Sequence, residues 1–460
     1  GSGDERGELG VSDHDVFVKS GHPVYGGAGV DSGNLTGPAD RASDGFEGER
    51  HETSVPNAYH SLELSTIGPV PPERRARNIP RSYFPRTAGA HYEGVIVKAI
   101  VFRDPATRAE FVDVELAGPK ANEVRVKIAA AGVCHSDLHV KRGEWDAPAP
   151  LIMGHEGSGV VVELGEGVTS LAVGDHVVLS WVPPCGECRY CLLGHEARCQ
   201  KVATVVAPKG VLFDGTSRLS MDGEPVHHYL GVSSFAEEVV VPASGAIKVR
   251  DDAPLDVIAV VGCAVATGVG AVTNTAGVEP GSTVAVIGCG GVGLNVVQGA
   301  KLAGAERIIA IDIVADKTAM AMQFGATDRI DSSTGDAVEQ LFALLPDGVD
   351  YAFDAIGRTV TTEQAIKMLG LGGAAVIVGL PPTGAKASFE PLVLAEADQR
   401  ILGSNYGSVR PSIDIPALVD RYMDGQLKLD PLISGRRPLS EAAEALDDLE
   451  AGGVLRTLLI

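Results

Sequence analysis

The segment Thr283-Val284-Ala285-Val286-Ile287-Gly288-Cys289-Gly290-Gly291-Val292-Gly293 decides the fold. Its first five residues form a short, largely apolar run, typical of a parallel strand that is covered on both faces. The next six match the pattern G-x-G-x-x-G, and a helical stretch from Gly291 to Ala303 follows. Such glycines permit a tight turn, a close approach of the backbone to a pyrophosphate, and close packing of helix on strand. We therefore predict a dinucleotide site at Gly288, Gly290, Gly291, Val292 and Gly293, where the first N–H groups of the helix would bind phosphate.

An acidic residue follows the next apolar strand at the expected distance. Asp312 comes directly after the run Arg307 to Ile311 and lies 19 positions after Gly293. A carboxylate there can bind both ribose hydroxyls of NAD and would repel the 2′-phosphate of NADP. The sequence therefore predicts NAD as the cofactor. The alternative is a glycine turn of an α/β domain that binds nothing.

Two folding patterns divide the rest of the chain. From about residue 265, helix and strand patterns alternate, which predicts a doubly wound parallel sheet over 265–405. Before it, short Val-rich strands with Gly turns, such as 95–102, 123–128, 159–164 and 174–179, predict a β-rich domain over 94–264. Residues 1–93 are rich in Gly, Ser, Pro and charged residues without amphipathic period, so we expect a disordered extension. A small binding module, or translated sequence upstream of a natural start near Val97, are the alternatives.

Composition excludes several classes of partner. The formal net charge of -22 disfavours nucleic acid and anionic membranes, which both require a basic surface. No run of 18 apolar residues is present, and the first residues lack the features of a signal peptide. The seven cysteines are an odd number at close spacings, which favours metal binding in a reducing compartment over disulfides. We expect a cytoplasmic protein.

Four of these cysteines form a compact motif. Cys185, Cys188, Cys191 and Cys199 have the spacing C-x2-C-x2-C-x7-C. Four thiolates can complete a tetrahedral shell around Zn²⁺ and leave no position for water, so we predict a structural zinc site. An iron–sulfur cluster is the alternative.

A second metal site is predicted from residues that are far apart in sequence. Cys134, His155 and Cys263 would supply two sulfurs and one imidazole, which leaves the fourth position open as in catalytic zinc sites. Each of them taken singly could equally be a core residue.

With these motifs, residues from about Val95 to Ile460 resemble the zinc-containing medium-chain alcohol dehydrogenases. The segments Asp214-Gly215-Thr216-Ser217-Arg218 and His227-His228-Tyr229-Leu230-Gly231 resemble the long-loop type of class I and class III. The resemblance implies a GroES-like catalytic domain, residues 94–264 and 406–460, that is interrupted by a Rossmann domain. It also implies two zinc ions per subunit, NAD, and a homodimer or homotetramer.

The resemblance assigns further roles by position. Glu156 would lie beside the catalytic zinc, Asp137 would orient His155, Ser136 would receive the proton of the substrate hydroxyl, and His139 would pass it to solvent through the nicotinamide ribose. The remaining coenzyme contacts would be His135, Thr267, Lys317, Val378 and Arg456, with His135 and Arg456 at the pyrophosphate. Trp145, Trp181 and Tyr229 would line the alcohol pocket, although core packing is the commoner fate of Trp.

The implied function is reversible hydride transfer from a primary alcohol to NAD, which gives an aldehyde and NADH. A thiol-dependent formaldehyde dehydrogenase, of the glutathione or mycothiol kind, is the nearest alternative, because Leu179-Ser180-Trp181 and residues 262–278 resemble the mycothiol group. A catalytically silent NAD-binding protein and a zinc hydrolase are more distant alternatives.

Overall fold

The computed structural model describes residues 94–104 and 107–460, so the extension predicted over 1–93 lies outside the described residues. The first ten strands in chain order are β1 (Val95–Phe102), β2 (Glu110–Leu116), β3 (Glu123–Gly132), β4 (Leu151–Ile152), β5 (Glu156–Leu164), β6 (His176–Leu179), β7 (Leu219–Met221), β8 (Glu224–His228), β9 (Glu238–Pro242) and β10 (Ala246–Lys248). The next eight are β11 (Thr283–Ile287), β12 (Arg307–Asp312), β13 (Asp328–Asp331), β14 (Val349–Asp354), β15 (Leu369–Ile377), β16 (Arg400–Gly403), β17 (Ile433–Arg437) and β18 (Arg456–Leu459).

The α-helices lie between these strands and cover the sheets. They are α1 (His135–Lys141), α2 (Arg189–Leu192), α3 (Ala207–Lys209), α4 (Leu255–Ile258), α5 (Ala264–Gly270), α6 (Gly291–Ala303), α7 (Ala315–Phe324), α8 (Ala337–Leu344), α9 (Thr359–Lys367), α10 (Pro391–Glu396), α11 (Pro411–Met423) and α12 (Ala442–Glu450). Wider π turns at Val202–Val206 and Ala271–Ala276 adjoin α3 and α5.

Six parallel strands form one sheet in the order β13-β12-β11-β14-β15-β16. Strand β11 lies inside this sheet, and four of its five residues are buried, which explains its apolar composition. The strand order reverses between β11 and β14, so the connections leave in opposite directions and open a crevice at the carboxyl end of β11. The glycine-rich turn lies at that end. The predicted doubly wound sheet is therefore confirmed.

The β-rich part of the molecule contains two further sheets. Strands β1, β2, β7, β8 and β4 close a barrel, and a seven-stranded sheet has the order β10-β6-β5-β3-β18-β17 with β9 paired to β3. Strand β18 pairs antiparallel with β3, with Leu458 opposite Gly132 and Leu459 opposite Ala131. The chain thus returns to this sheet after it has completed the parallel sheet. The predicted β-rich fold is confirmed, whereas the residue limits of the domains stay a prediction.

Apolar helices near the centre of the chain belong to the core. Within the described part of the chain, no single helix is long and apolar enough to cross a membrane. The bent pair Leu255–Gly262 and Ala264–Ala276, with 52° between its halves, meets the length and composition requirement only when the two halves are combined. Val260, Val261 and Val265 in this pair are fully buried in one hydrophobic cluster, as expected for core helices.

Candidate active site

The four-cysteine motif forms a compact cluster. Cys185, Cys188, Cys191 and Cys199 bring their sulfurs within 4.8 Å of one another. Cys188 caps the N-terminus of α2, Cys191 lies within that helix, and Cys199 ends the short turn Glu196–Arg198. Backbone N–H groups of Cys185 and Cys188 donate to the sulfurs of Cys199 and Cys185, at 3.4 and 3.3 Å. The local turns therefore direct all four sulfurs toward a common centre.

The dimensions of this cluster fit one zinc ion. Zn–S bonds of about 2.3 Å in a tetrahedron place two sulfurs roughly 3.8 Å apart. The sulfurs of Cys185 and Cys191 are 4.0 Å apart. A cluster of several irons would require a wider cage, since iron and inorganic sulfur atoms must lie between the cysteines. The backbone N–H of Cys191 lowers the pKa of Cys188 to about 6, which favours the thiolate that a metal requires.

The dispersed cysteines and histidine also converge. Ligand atoms of Cys134, His155, Glu156 and Cys263 lie within 4.8 Å of one another, and all four residues are buried. Cys134 follows β3 and caps α1, His155 directly precedes β5, and Cys263 precedes α5. Gly154 turns the chain into His155 with a φ of +88°, and a Cβ there would lie 2.4 Å from the Phe235 ring. Three separate elements thus supply the two sulfurs and the imidazole.

These groups fit a metal ion better than they fit one another. The Nε2 atom of His155 is buried without a hydrogen-bond partner among the described residues, which is costly unless something else binds it. A hydrogen bond from Cys263 and the positive charge of Arg456 hold the pKa of Cys134 well below its usual range, although burial opposes this shift. A thiolate beside an unpartnered imidazole is the donor set of a zinc site.

Asp137 connects the two loops that carry these ligands. Its carboxylate accepts hydrogen bonds from the N–H of Cys134 at 2.9 Å and the N–H of Gly154 at 3.3 Å. Its Oδ1 atom also lies 3.4 Å from Nδ1 of His155. Burial lowers the pKa of this histidine, but the Asp137 carboxylate and the Cys134 sulfur together more than offset it, so the net shift is upward. A carboxylate on one imidazole nitrogen directs the other toward the metal.

Glu156 and Arg456 form a buried ion pair beside the same sulfurs. The Nε atom of Arg456 lies 3.1 Å from Glu156 Oε2, and its Nη2 atom lies 3.3 Å from the sulfur of Cys134. Burial raises the pKa of Glu156 to about 7, although the nearby guanidinium lowers it in part. The single guanidinium of Arg456 therefore lies between the Glu156 carboxylate and the Cys134 sulfur, and it contacts both. Arg456 was predicted as a phosphate contact, and its position here serves the metal site as well.

The same arginine reaches the glycine-rich turn. A Cβ on Gly291 would lie 3.1 Å from the Arg456 guanidinium, and a Cβ on Gly293 would lie 1.7 Å from the Gly288 carbonyl oxygen. Gly288 has a φ of +97°, which glycine adopts readily. A Cβ on Gly290 would meet nothing within 4 Å, so open space lies at the N-terminus of α6. This space, between helix N–H groups and a guanidinium, suits a pyrophosphate.

Other predicted coenzyme contacts gather at the same crevice. Burial lowers the pKa of His135, and the positive charges of Arg456 and Lys317 lower it further. Asp312 ends β12, and its carboxylate accepts from the N–H of Cys289 at 2.8 Å and the N–H of Val314 at 2.9 Å. The predicted ribose ligand therefore also fixes the glycine-rich turn.

The remaining predicted coenzyme contacts lie on two different elements. Thr267 is buried on α5, one turn after Cys263. Its N–H donates to the Cys263 carbonyl at 2.8 Å. Val378 is buried at the end of β15 and donates its N–H to the Asp354 carbonyl at 3.0 Å. Thr267 thus adjoins the metal site, whereas no described contact joins Val378 to it.

The predicted proton-transfer residues both lie on α1. The Ser136 hydroxyl oxygen is 3.8 Å from the sulfur of Cys134. His139 is half-buried one turn later, where its Nδ1 atom contacts the carboxylate of Glu144 and its ring stacks on Trp145 with 4.3 Å between centroids. Sequence reasoning missed Glu144, because a charged residue in a loop carries no spacing signal.

The three predicted pocket aromatics each contact the site or its neighbours. The ring of Tyr229 lies edge-on to His155 at 5.5 Å, and its hydroxyl donates to the Ser136 carbonyl at 3.1 Å. Trp181 packs on Tyr406 at 4.5 Å, and the Tyr406 hydroxyl donates to the Gly262 carbonyl at 2.6 Å, directly before Cys263. The Trp145 indole donates to the Pro381 carbonyl at 3.3 Å, so it connects the loop after α1 to the loop after β15. Tyr406 is a second residue that sequence reasoning missed.

Family models match most of this architecture. The alcohol dehydrogenase GroES-like domain matches residues 120–251, and the zinc-binding dehydrogenase domain matches residues 291–423. The chain belongs to the zinc-dependent medium-chain dehydrogenase/reductase family, which confirms the resemblance found in the sequence. The protein is accordingly an oxidoreductase with two zinc sites and an NAD-binding Rossmann domain.

Named relatives fall into two substrate groups. The chain is 42% identical over 350 residues to "Probable S-(hydroxymethyl)glutathione dehydrogenase 1" of Schizosaccharomyces pombe, across 75% of this chain and 92% of that protein. It is 40% identical over 374 residues to S-(hydroxymethyl)glutathione dehydrogenase of Paracoccus denitrificans, across 79% and 99% of the two chains. The solved benzyl alcohol dehydrogenase of Acinetobacter calcoaceticus is 34% identical with a TM-score of 0.76, across 79% of this chain and 99% of that one.

Proposed function

We propose that the protein oxidises primary alcohols to aldehydes with NAD as the hydride acceptor. The observation that carries this proposal is the buried convergence of Cys134, His155 and Cys263 beside an arginine that also borders the glycine-rich turn. When bound, zinc supplies Lewis acidity, and the coenzyme supplies the hydride-accepting ring. The chain's own part is to hold the ligands, place the reactants together and remove one proton.

Each side chain has a role that follows from its contacts. Cys134, His155 and Cys263 would hold the metal, and Asp137 would keep the imidazole oriented toward it. Ser136, next to the Cys134 sulfur, would accept the hydroxyl proton of the alcohol, and His139 would carry that proton toward solvent. Arg456 would bind the coenzyme phosphates with His135, while its bond to Glu156 keeps it in place.

Asp312 supports NAD over NADP. Its carboxylate ends β12 at the ribose side of the turn, and two backbone N–H groups already hold its oxygens. A 2′-phosphate would bring two negative charges next to this fixed carboxylate. The kinetic test is a comparison of kcat/KM for the two coenzymes at one alcohol concentration.

Aromatic side chains support a narrow pocket for unbranched or benzylic primary alcohols. Tyr229 packs edge-on against the metal ligand His155, and Trp181 packs on Tyr406. These contacts restrict the movement of both rings. A secondary cyclic alcohol needs space on both sides of the reacting carbon, which two fixed rings limit. We expect ethanol and benzyl alcohol to be better substrates than cyclohexanol.

A second candidate substrate is the hydroxymethyl adduct of a thiol cofactor. The two S-(hydroxymethyl)glutathione dehydrogenases named above support it. The chemistry at the reacting carbon is the same, since the adduct is itself a primary alcohol. The difference lies in the outer pocket, which must accept the large polar body of the thiol cofactor.

One spectrophotometric experiment tests both candidates. Zinc-loaded protein is mixed with NAD and, in turn, ethanol, benzyl alcohol, cyclohexanol, formaldehyde alone, formaldehyde with glutathione and formaldehyde with mycothiol, and NADH absorbance is followed. Alcohol oxidation without a thiol supports the first proposal, and formaldehyde oxidation only with a thiol supports the second. Absence of NADH with every substrate, in protein that carries both zinc ions, would refute both.

We also propose that two copies pair through β16 in a dimer. This strand ends the parallel sheet, and no described strand pairs with its outer side. Three apolar residues in β16 and in the neighbouring β15 and α10 are exposed: Ile401 by 37%, Leu371 by 86% and Leu392 by 67%. Antiparallel pairing of two β16 strands about a two-fold axis would cover these apolar side chains. Light scattering of the wild type and of Ile401→Lys tests the proposal, which predicts a dimer and a monomer respectively.

The cellular location that we propose is the cytoplasm. All seven cysteines are free thiols, six of them in the two metal clusters. Oxidation would convert these ligands to disulfides, so a reducing compartment suits them. Fractionation of cells that produce the protein tests this assignment.

A further inference from the structure

The loop after α1 folds back onto His139. The N–H groups of Glu144 and Trp145 both donate to the His139 carbonyl oxygen, at 2.9 and 3.4 Å. Gly143 makes this turn with a φ of +66°, which glycine adopts without strain. The two side chains that follow the turn are therefore brought against the imidazole by the backbone itself.

Two different contacts fix the imidazole. The Glu144 carboxylate contacts its Nδ1 atom, and the Trp145 ring stacks on its face with 17° between the planes. Trp145 is itself held from the other side by the Pro381 carbonyl. A ring that is confined on one edge and one face has little freedom to rotate.

We propose that Glu144 is a positioning residue that sets the tautomer of His139; this inference rests on the proposed dehydrogenase function. An ionised carboxylate can only accept, so the Nδ1 atom must carry the hydrogen of this contact. In the neutral ring Nε2 is then unprotonated and able to accept a proton. When Nε2 takes the proton of the alcohol, the carboxylate faces the imidazolium, and the proton leaves from Nε2 to water.

The surroundings of the pair are consistent with this role. Glu144 is 30% exposed, and its other oxygen lies 4.0 Å from Arg142, which is itself bonded to Glu450 of α12 at 3.0 Å. Lys141, on the same helix, is bonded to Asp447 and Glu450. His135, on the same helix, is near enough for the charge of His139 to lower its pKa. The carboxylate of Glu144 is thus the acceptor nearest to the ring, and the cations of α1 are already paired elsewhere.

A double-mutant cycle tests the proposal on the zinc-loaded full chain. Glu144→Gln keeps the size of the side chain and removes the charge, and Asp146→Asn removes an equal charge from the same loop without touching His139. We expect Glu144→Gln to lower kcat for alcohol oxidation about 10-fold near neutral pH with little change in the alcohol KM. The loss should shrink at high pH, where hydroxide can take the proton without the histidine.

The cycle is completed with His139→Gln and the double variant. If Glu144 acts through His139, the double variant is no slower than His139→Gln alone. Additive losses, or an equal loss in Asp146→Asn, would overturn the proposal. If Glu144 had only a structural role, Glu144→Gln would lower kcat by the same factor at every pH. That result would overturn the proposal as well.

A measurement without turnover separates this inference from the proposed function. In protein with ¹⁵N-labelled histidine, the signal that disappears in His139→Gln identifies this ring, and its nitrogen shifts report the tautomer. We expect hydrogen on Nδ1 in the wild type and a mixture of tautomers in Glu144→Gln. Hydrogen on Nε2 in the wild type would refute the inference, whereas failure to form NADH with the expected tautomer would refute only the proposed function.

Discussion

The two candidate metal centres use cysteine in opposite ways. The four-cysteine centre draws all its ligands from residues 185–199, in turns where three of the four side chains are partly exposed. The other centre draws on Cys134, His155 and Cys263, which are spread over most of the β-rich domain and are fully buried. The first is a local device that short-range turns can assemble. The second exists only when β3, β5 and α5 have packed, so it reports the integrity of the whole fold.

Loss of a ligand at the buried centre should have the largest effect. Cys263→Ser removes one sulfur while the chain keeps its fold, so we expect zinc content to fall from two to one per chain. Because the metal contributes several kcal/mol of transition-state stabilisation, kcat/KM should fall by ~10³-fold or more. Metal analysis and NADH absorbance measure both. Cys289→Ser is the matched control for metal content, since this buried cysteine belongs to neither cluster; an active Cys263→Ser enzyme would contradict the assignment.

Loss of a ligand at the exposed centre should affect stability instead of chemistry. Cys188→Ser opens the four-cysteine cluster, so the loop 185–199 loses its cross-link and one zinc ion leaves. A loss of roughly 3–5 kcal/mol corresponds to a Tm lowered by ~5 °C in a chain of this size. Calorimetry measures the shift, and kcat well below the new Tm should stay near the wild-type value. A large loss of kcat with unchanged Tm would reverse the roles of the two centres.

A smaller effect is expected at the coenzyme crevice, which adjoins only the buried centre. Asp312→Asn keeps the side chain's size and removes its charge, so the ribose of NAD loses a charged hydrogen bond. We expect the KM for NAD to rise ~10- to 100-fold and discrimination against NADP to decrease. Steady-state kinetics with both coenzymes measures this. Asp331→Asn, at the corresponding end of the neighbouring strand β13, should leave both values unchanged.

The smallest expected effect concerns acid sensitivity at a buried site without metal. Burial lowers the pKa of His228 to about 3, and its Nε2 atom accepts from the N–H of Arg218 at 3.2 Å. Between pH 6.5 and 3 the unfolded chain binds this proton and the folded chain does not. The free energy of unfolding therefore falls as pH falls, by up to ~1.4 kcal/mol per pH unit.

His228→Gln removes that dependence. Relative to wild type, the variant should gain about 2 kcal/mol between pH 7 and pH 5, measured by urea unfolding. The difference between the two proteins cancels the protonation of the zinc ligands, which both contain. A constant difference across this pH range would show that folding does not change the pKa of His228, and it would refute the prediction. When the contribution of His228 is subtracted from the pH dependence of the wild-type free energy of unfolding, the remainder includes the acid sensitivity of the two metal centres.

The sequence was most informative where neighbours in the chain are neighbours in space. The glycine-rich turn and the four-cysteine motif could be read from spacing, because turns of a few residues bring their members together. The buried centre was predicted from the types of its ligands and supported by the family resemblance, since nothing local predicts that Cys263 meets Cys134. Glu144 and Tyr406 could not be predicted at all, because their partners depend on how a loop folds back and how Tyr406 packs on Trp181. Arg456 was predicted from its place in the family, but its bond to Glu156 is a property of packing.

Strand β18 has a consequence for biosynthesis. It fills the place between β3 and β17, and it carries the guanidinium that faces the Cys134 thiolate, yet the ribosome makes it only after the entire parallel sheet. A nascent chain therefore holds the zinc ligands before their compensating cation exists. Its seven-stranded sheet stays open at β3 until β17 and β18 emerge. The catalytic centre is thus complete only after β18 has been made, and chains released before β18 would lack the Arg456 guanidinium.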